Sequence, residues 1–256
     1  MRFASLGSGS KGNATLVEWG DTCVMVDCGF SVKQTVQRLA QLQRQPEDLS
    51  AILVTHEHSD HIKGVLPLAR RFGLTVMMTA GTAKAAKIDA STAAGLDIQL
   101  IDSDRALAVG GMQVSPVSVP HDAREPVQFV FSGGKHRVGI LTDLGSITPH
   151  VVEQYSACDG VLVEANHDRL MLDEGSYPYS LKQRVGGDWG HLNNGQTAQL
   201  LDQIDTSALQ VLVVGHISQQ NNSLACVEAE LAPVVAGLPK TLYACQDQGL
   251  AWQNLE

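Results

Sequence analysis

Within six residues, His56-Glu57-His58-Ser59-Asp60-His61, this chain carries three imidazoles and the Asp60 carboxylate. Neutral imidazole suits zinc, and carboxylate suits harder divalent ions. The apolar run Ala51 to Thr55 before the cluster reads as a strand, and Ile62 to Arg71 after it reads as a helix. In extended backbone, residues two apart point the same way. His56 and His58 can therefore reach one metal while Glu57 turns away. Asp60 and His61 lie past the turn and can face a second metal. A plain polar loop with an Asp helix cap is the alternative, and three histidines in six positions is an unusual way to build one. Zinc takes three or four protein ligands, so others must come from elsewhere.

Three other segments offer them. His121 follows the alternating stretch Met112 to Val119, Asp143 closes the run from Val138, and His216 ends Val211-Leu212-Val213-Val214-Gly215. Each is a ligand type placed just beyond a strand and beside small residues. Any one alone reads as a cap or loop residue. Together, behind the six-residue cluster, they read as one site.

The order HxHxDH, then His, Asp and His resembles the metallo-β-lactamase superfamily of hydrolases across essentially the whole chain. The resemblance implies an α/β fold, a four-layer αββα sandwich with two mixed β-sheets and metals at one edge. It implies that His56, His58 and His121 hold one metal, that Asp60, His61 and His216 hold the other, and that Asp143 bridges them. A narrower resemblance rests on Gly7-Ser8-Gly9-Ser10-Lys11-Gly12-Asn13, Asn166-His167-Asp168, Gly190-His191-Leu192-Asn193-Asn194 and His216-Ile217-Ser218 with Asn221-Asn222. These motifs are similar to the YycJ (WalJ)-type branch, which implies a single-domain bacterial protein with DNA exonuclease activity.

The expected chemistry follows from two divalent ions, zinc favoured and manganese or iron also compatible. A pair about 3.5–4 Å apart holds a bridging water and lowers its pKa, so that hydroxide attacks phosphorus in line with the leaving oxygen. Asp60 is expected both to bind metal and to orient the hydroxide. His191, in a Gly- and Asn-rich turn ahead of a helix, is expected to touch phosphate or act as general acid. His167, Arg169 and Arg184 are the candidate substrate contacts, with Lys182 beside them. His136 is expected in an exposed hairpin turn, and His150 as a cap or packing residue. The Gly7 to Asn13 loop lacks P-loop spacing and reads as a tight turn.

At 256 residues with 44% apolar content and no linker or low-complexity tract, residues 1–256 are expected to form one domain. There is no membrane-length apolar run and no secretory leader pattern. The five cysteines, an odd number without CxxC spacing, fit a reducing, cytoplasmic setting. Cys23 and Cys28 read as small buried apolar residues. The net charge of −9 argues against indiscriminate nucleic-acid binding, although bound metals would add positive charge at the site.

A coarse pass gives strands at Arg2 to Leu6, Thr15 to Trp19, Cys23 to Asp27, Asp97 to Ile101, Val127 to Phe131 and Val161 to Val163. Helices are predicted at Ser31 to Gln43, with Ser31 as N-cap, and at Asn194 to Ile204. Thr241 to Tyr243 and Leu250 to Trp252 read as a closing hairpin. The partners expected are nucleic acid or a small phosphodiester, without membrane. A thioester or lactam hydrolase of the same fold, a di-iron oxidoreductase and a non-enzymatic metalloprotein are the competing readings. The first needs room for a carbonyl substrate, the second an attached flavin domain, and the third no open metal face.

Overall fold

Both faces of most strands are buried, and this arranges the chain in layers. The structure is a computed structural model describing residues 1–256. One sheet is ordered β14 (Leu250–Asn254), β1 (Arg2–Gly7), β2 (Ala14–Trp19), β3 (Thr22–Val26), β4 (Ala51–Leu53), β5 (Val76–Thr79) and β6 (Ile98–Ile101). The other is ordered β13 (Thr241–Tyr243), β12 (Val211–Gly215), β11 (Gly160–Glu164), β10 (His136–Leu141), β9 (Val127–Gly133), β8 (Met112–Ser118) and β7 (Leu107–Val109). In each sheet the leading strands pair antiparallel and the later ones parallel, with β3 and β10 at the change. The two halves therefore share a plan that no sequence repeat displays.

Side-chain alternation sorts the core. Phe3, Val17, Val24, Phe129, Val138 and Val213 meet between the sheets. Their strand neighbours Leu16, Met25 and Ile52 face outward onto Leu39 of α1 (Val32–Gln41) and Leu68 of α3 (Val65–Phe72). On the far side, Leu141 and Val163 face Tyr155 of α5 (Pro149–Tyr155), Leu200 of α8 (Asn194–Gln203) and Leu231 of α9 (Leu224–Val235). Helix, sheet, sheet, helix is the expected αββα order. Strands buried on both faces read as near-continuous apolar runs, which is why the strands were visible and their two faces were not. No helix is long and apolar enough to cross a membrane.

Ser31 caps α1 as expected, in a full capping box with Gln34. Cys23 and Cys28 are buried, and burial pushes their thiols up to about 12 and about 11. Other expectations need correction. The closing hairpin does not exist: β13 lies parallel to β12 in one sheet, while β14 crosses to pair antiparallel with β1 in the other. The helix after the histidine cluster is broken at Gly64 into α2 (Ser59–Ile62) and α3, where a Cβ would lie 1.9 Å from the Phe30 carbonyl oxygen. His136 is not exposed; it opens β10, buried, with Nδ1 3.2 Å from Asp159 Oδ1. Thr148, not His150, caps α5, and His150 is exposed.

Candidate metal centre

The ends of strands from both sheets converge on one point. His56 and His58 follow β4, and Asp60 and His61 lie in α2. His121, Asp143 and His216 come just beyond β8, β10 and β12. The ligand atoms of His56, His58 and His121 all lie within 4.8 Å of one another, as do those of Asp60, His61 and His216. Asp143 groups with members of both trios: its Oδ2 is 3.1 Å from His61 Nε2 and its Oδ1 is 3.9 Å from His121 Nε2. Glu57 turns away as its spacing predicts, accepting a hydrogen bond from the Arg124 amide at 2.8 Å. All seven residues expected as ligands are thus brought together.

Hydrogen bonds behind the rings leave their other nitrogens free. His61 Nδ1 is 2.8 Å from Asp27 Oδ2, His121 Nδ1 is 2.9 Å from the Gly190 carbonyl, and His216 Nδ1 is 2.6 Å from the Thr142 carbonyl. Each acceptor fixes the proton on Nδ1 and leaves Nε2 as a ligand atom, the arrangement metal-binding histidines require. Thr55 Oγ1 donates to Asp27 Oδ2 at 2.8 Å, so it can accept from His56 Nδ1 at 2.9 Å. His56 Nε2 is then buried with no partner, and Asp143 Oδ2 has only the His61 ring against it. A buried polar atom left without a partner is costly. A divalent cation satisfies His56 Nε2 and takes the place of the His61 proton beside Asp143, so the donor set fits a metal.

Backbone conformation contributes to this convergence. Asp27 and His216 both adopt left-handed φ, 61° and 48°, which costs of order 1–3 kcal/mol for a residue with a side chain. The His216 amide donates to Ser8 Oγ at 2.8 Å, so the Gly7 to Asn13 loop holds this turn. That loop joins β1 to β2, as expected, and it also reaches the site. Asn13 Nδ2 lies 3.3 Å from Asp60 Oδ2 and 3.1 Å from His61 Nε2. Gly29 permits the approach from behind, since a Cβ there would meet the Asp60 carbonyl oxygen at 1.8 Å.

The electrostatics oppose burial. Burial acts to lower the His61 pKa, but Asp143, Asp60 and Asp27 outweigh it and hold it well above the usual imidazole value. Burial acts to raise Asp60 and Asp143, but His61 and His216 pull Asp60 down to about 2 and hold Asp143 well below the carboxylate range. His56 has no adequate counter-charge, and burial keeps it well below its usual value; burial likewise brings His121 to about 4. Both are ready as neutral ligands. Burial acts to lower His191, but Glu164, with Nδ1 to Oε2 at 3.0 Å, and Asp143 raise it to about 9.

These groups line an open cleft of about 330 Å³, with Ser10, Asp60, Asp143, Arg184, His191 and His216 in its wall. Arg184 is its cation, hydrogen-bonded to Asp122, with Nη2 3.4 Å from His58 Nε2. His167 and Arg169 are placed elsewhere. Arg169 lines a separate cleft with Asp168, Asn193 and Gln199. His167 is buried, and burial lowers it to about 4. The N-terminus of α8 opens on that second cleft, and its capping box of Asn193 and Gln196 already satisfies part of it. His191 therefore enters the metal cleft from the loop before α8 and not through that helix end.

The family described as Beta-lactamase superfamily domain matches residues 22–217. The chain is 35% identical to exodeoxyribonuclease WalJ of Streptococcus pneumoniae over 229 residues, covering 87% of this chain and 83% of that one. It is 32% identical over 222 residues to exodeoxyribonuclease YycJ of Bacillus anthracis, covering 87% and 84%. The chain belongs to the metallo-β-lactamase superfamily, in its WalJ/YycJ branch. Among solved structures, Zn(2+)-bound PqqB from Methylobacterium extorquens superposes with a TM-score of 0.76 at 18% identity over the whole of both chains, a likeness of fold.

Within this metallo-β-lactamase fold, three carboxylates behind the site escaped sequence reasoning. Asp27 orients His61, Glu164 orients His191, and Asp122 holds Arg184 with Oδ1 3.6 Å from His58 Nε2. A signal did exist. Asp27 and Glu164 sit at the ends of β3 and β11, the same strand-end position that drew attention to Asp143. Asp122 directly follows His121.

Proposed function

We propose that the protein is a phosphodiesterase that uses two divalent metal ions to remove nucleotides from DNA, and that residues 1–256 act as one domain. His56, His58 and His121 would hold one metal, Asp60, His61 and His216 the other, with Asp143 shared. Zinc suits this imidazole-rich set, and manganese or iron also suits its carboxylates. The observation that carries the reading is the partnerless buried His56 Nε2 in a seven-residue ligand cluster beside an open cleft. Two relatives named exodeoxyribonucleases, matched over most of their length, support the substrate class.

When bound, the metals supply a nucleophile from water at neutral pH and neutralise phosphoryl oxygens. The chain's own residues do the rest. Asp60, which His61 and His216 hold charged with a pKa of about 2, would help hold a metal and orient the attacking water. Arg184, held by Asp122, steadies a non-bridging phosphate oxygen at the cleft wall. His191, whose pKa Glu164 and Asp143 raise to about 9 in the metal-free chain and which Glu164 aligns through Nδ1, would present Nε2 to the leaving oxygen and give it a proton. Arg169, outside this cleft, is assigned to the nucleic-acid chain farther from the scissile bond, and the buried His167 supports the loop before α8 from behind, its carbonyl accepting from the Asn194 amide at 3.0 Å.

The test uses metal-stripped protein reloaded with zinc or manganese. Reloaded protein should shorten end-labelled DNA one nucleotide at a time, and chelator should stop it. Labels at the 5′ or 3′ end read the polarity. Turnover of lactoylglutathione or nitrocefin with no cutting of DNA would overturn the proposal.

A further inference from the structure

Trp189 has no structural reason to be where it is. It is 63% exposed, although Trp is usually well buried. The other two tryptophans are partly buried, with Arg2 stacked on Trp252 at 4.3 Å and Trp19 packed edge-on to His136. Trp189 directly precedes Gly190 and His191, both in the wall of the metal cleft.

Its mount is rigid. The Gly190 amide donates to the Gly187 carbonyl at 2.8 Å and the His191 amide to the Val185 carbonyl at 2.9 Å. The Gly190 carbonyl accepts from His121. Gly145, next to the Asp143-Leu144 turn, packs so closely that a Cβ would lie 2.6 Å from Trp189 Cα. The backbone carrying the indole is therefore locked to the same turn that carries Asp143. Consecutive Cα atoms are about 3.8 Å apart, so the ring stands within a nucleotide's reach of the cleft.

Charge says what this ring is for. The chain carries a net −9, and Arg184 is the only Lys or Arg in the cleft wall. Beyond the scissile phosphate, which the metals and Arg184 would hold, phosphate attraction, the usual source of nucleic-acid affinity, is weak here. Stacking on an aromatic face is the other source, it tolerates any base, and its size is substantial. Bases inside a duplex have both faces covered, so an exposed indole selects a base at an end, where one face is open.

We propose that Trp189 is a substrate-binding residue on which the terminal base of a nucleic-acid end stacks, beside the phosphate held in the metal cleft. This rests on the phosphodiesterase reading above.

The experiment compares metal-loaded wild type, Trp189→Ala and Trp189→Phe on two single-stranded oligonucleotides, one with a normal terminal nucleotide and one abasic there. Trp189→Ala should lower kcat/KM on the normal end by about 5- to 150-fold, the range that one stacked base is worth. The loss should lie in KM, shrink to near nothing on the abasic end, and be largely restored by Trp189→Phe. Equal losses on both ends, or none on either, would overturn the proposal. Metal-free protein provides a readout without catalysis. Its tryptophan fluorescence should be quenched by the normal oligonucleotide, less by the abasic one, and not in Trp189→Ala. Quenching with no cleavage by loaded wild type would keep the stacking site and overturn the nuclease reading. Cleavage without quenching would do the reverse.

Discussion

Replacing Asp27 by Asn tests whether the carboxylate behind His61 sets that ring's metal-binding state. Asp27 accepts three hydrogen bonds: Oδ1 from the Thr55 amide at 2.8 Å, and Oδ2 from Thr55 Oγ1 and His61 Nδ1, both at 2.8 Å. Asn offers one oxygen and one NH2 donor. If the oxygen keeps the Thr55 amide, the NH2 faces His61 Nδ1–H, and the ring must move its proton to Nε2, the ligand atom. If the amide flips, the NH2 faces the Thr55 amide instead, and a buried donor goes unpaired. Removing such an outer partner weakens metal binding about 10- to 100-fold, which is about 1.4–2.7 kcal/mol. The unpaired donor in the alternative costs about 1–3 kcal/mol of folding free energy. Calorimetric titration with zinc should resolve the loss, largest on the Asp60, His61 and His216 site, which Asp27 touches directly, and smaller on the His56, His58 and His121 site, which it reaches through Thr55 Oγ1. Unchanged affinity at both sites in a folded Asp27→Asn protein would refute the tautomer argument.

Asp143→Ala should lose most of both metals and nearly all hydrolysis, because a carboxylate has two oxygens to share; elemental analysis checks this, and full occupancy of both sites would remove its shared role. His191→Ala should keep its metal content and slow cleavage of unactivated phosphodiesters by about 10²- to 10⁴-fold, with a smaller loss for a p-nitrophenyl leaving group; a fall in metal content in step with activity would make His191 a ligand. Because His61 is held protonated well above its usual pKa in the metal-free chain, zinc binding should release about one proton there. Affinity should therefore fall as pH falls, and calorimetry in buffers of different ionisation enthalpy reads the proton count. The His191 pKa is raised from 6.5 to about 9, so its stabilising contribution is fully present below about pH 6.5 and is lost as pH rises through about 9. Thermal melts of metal-free protein should drop across that window, and His191→Gln should flatten the drop.

The cluster His56 to His61 was legible because strand geometry and ligand chemistry act on neighbouring residues. His121, Asp143 and His216 were legible because each ends an apolar strand run. Their assembly is a property of the fold, and family resemblance supplied it. Asp27 and Glu164 have the same strand-end placement, but a lone carboxylate there looks like any cap until a ring is seen against it. The separation of β13 from β14 was hidden because both are half-exposed edge strands, and alternation marks a strand's buried side but not which sheet it joins. His136 was misjudged because the Gly133-Gly134-Lys135 turn is real, while the residue after it tucks inward onto Asp159. The substrate side was the least legible. Arg169, His167 and Arg184 are near in sequence, yet only Arg184 reaches the cleft.

Anomalous diffraction from crystals of zinc-reconstituted protein tests the central claim most directly. The account predicts two peaks per chain. One lies within bonding distance of His56 Nε2, His58 Nδ1 and His121 Nε2. The other lies within bonding distance of Asp60, His61 Nε2 and His216 Nε2, with Asp143 reaching both. A single peak, or a peak held by Glu164 and His191 in place of either trio, would contradict it.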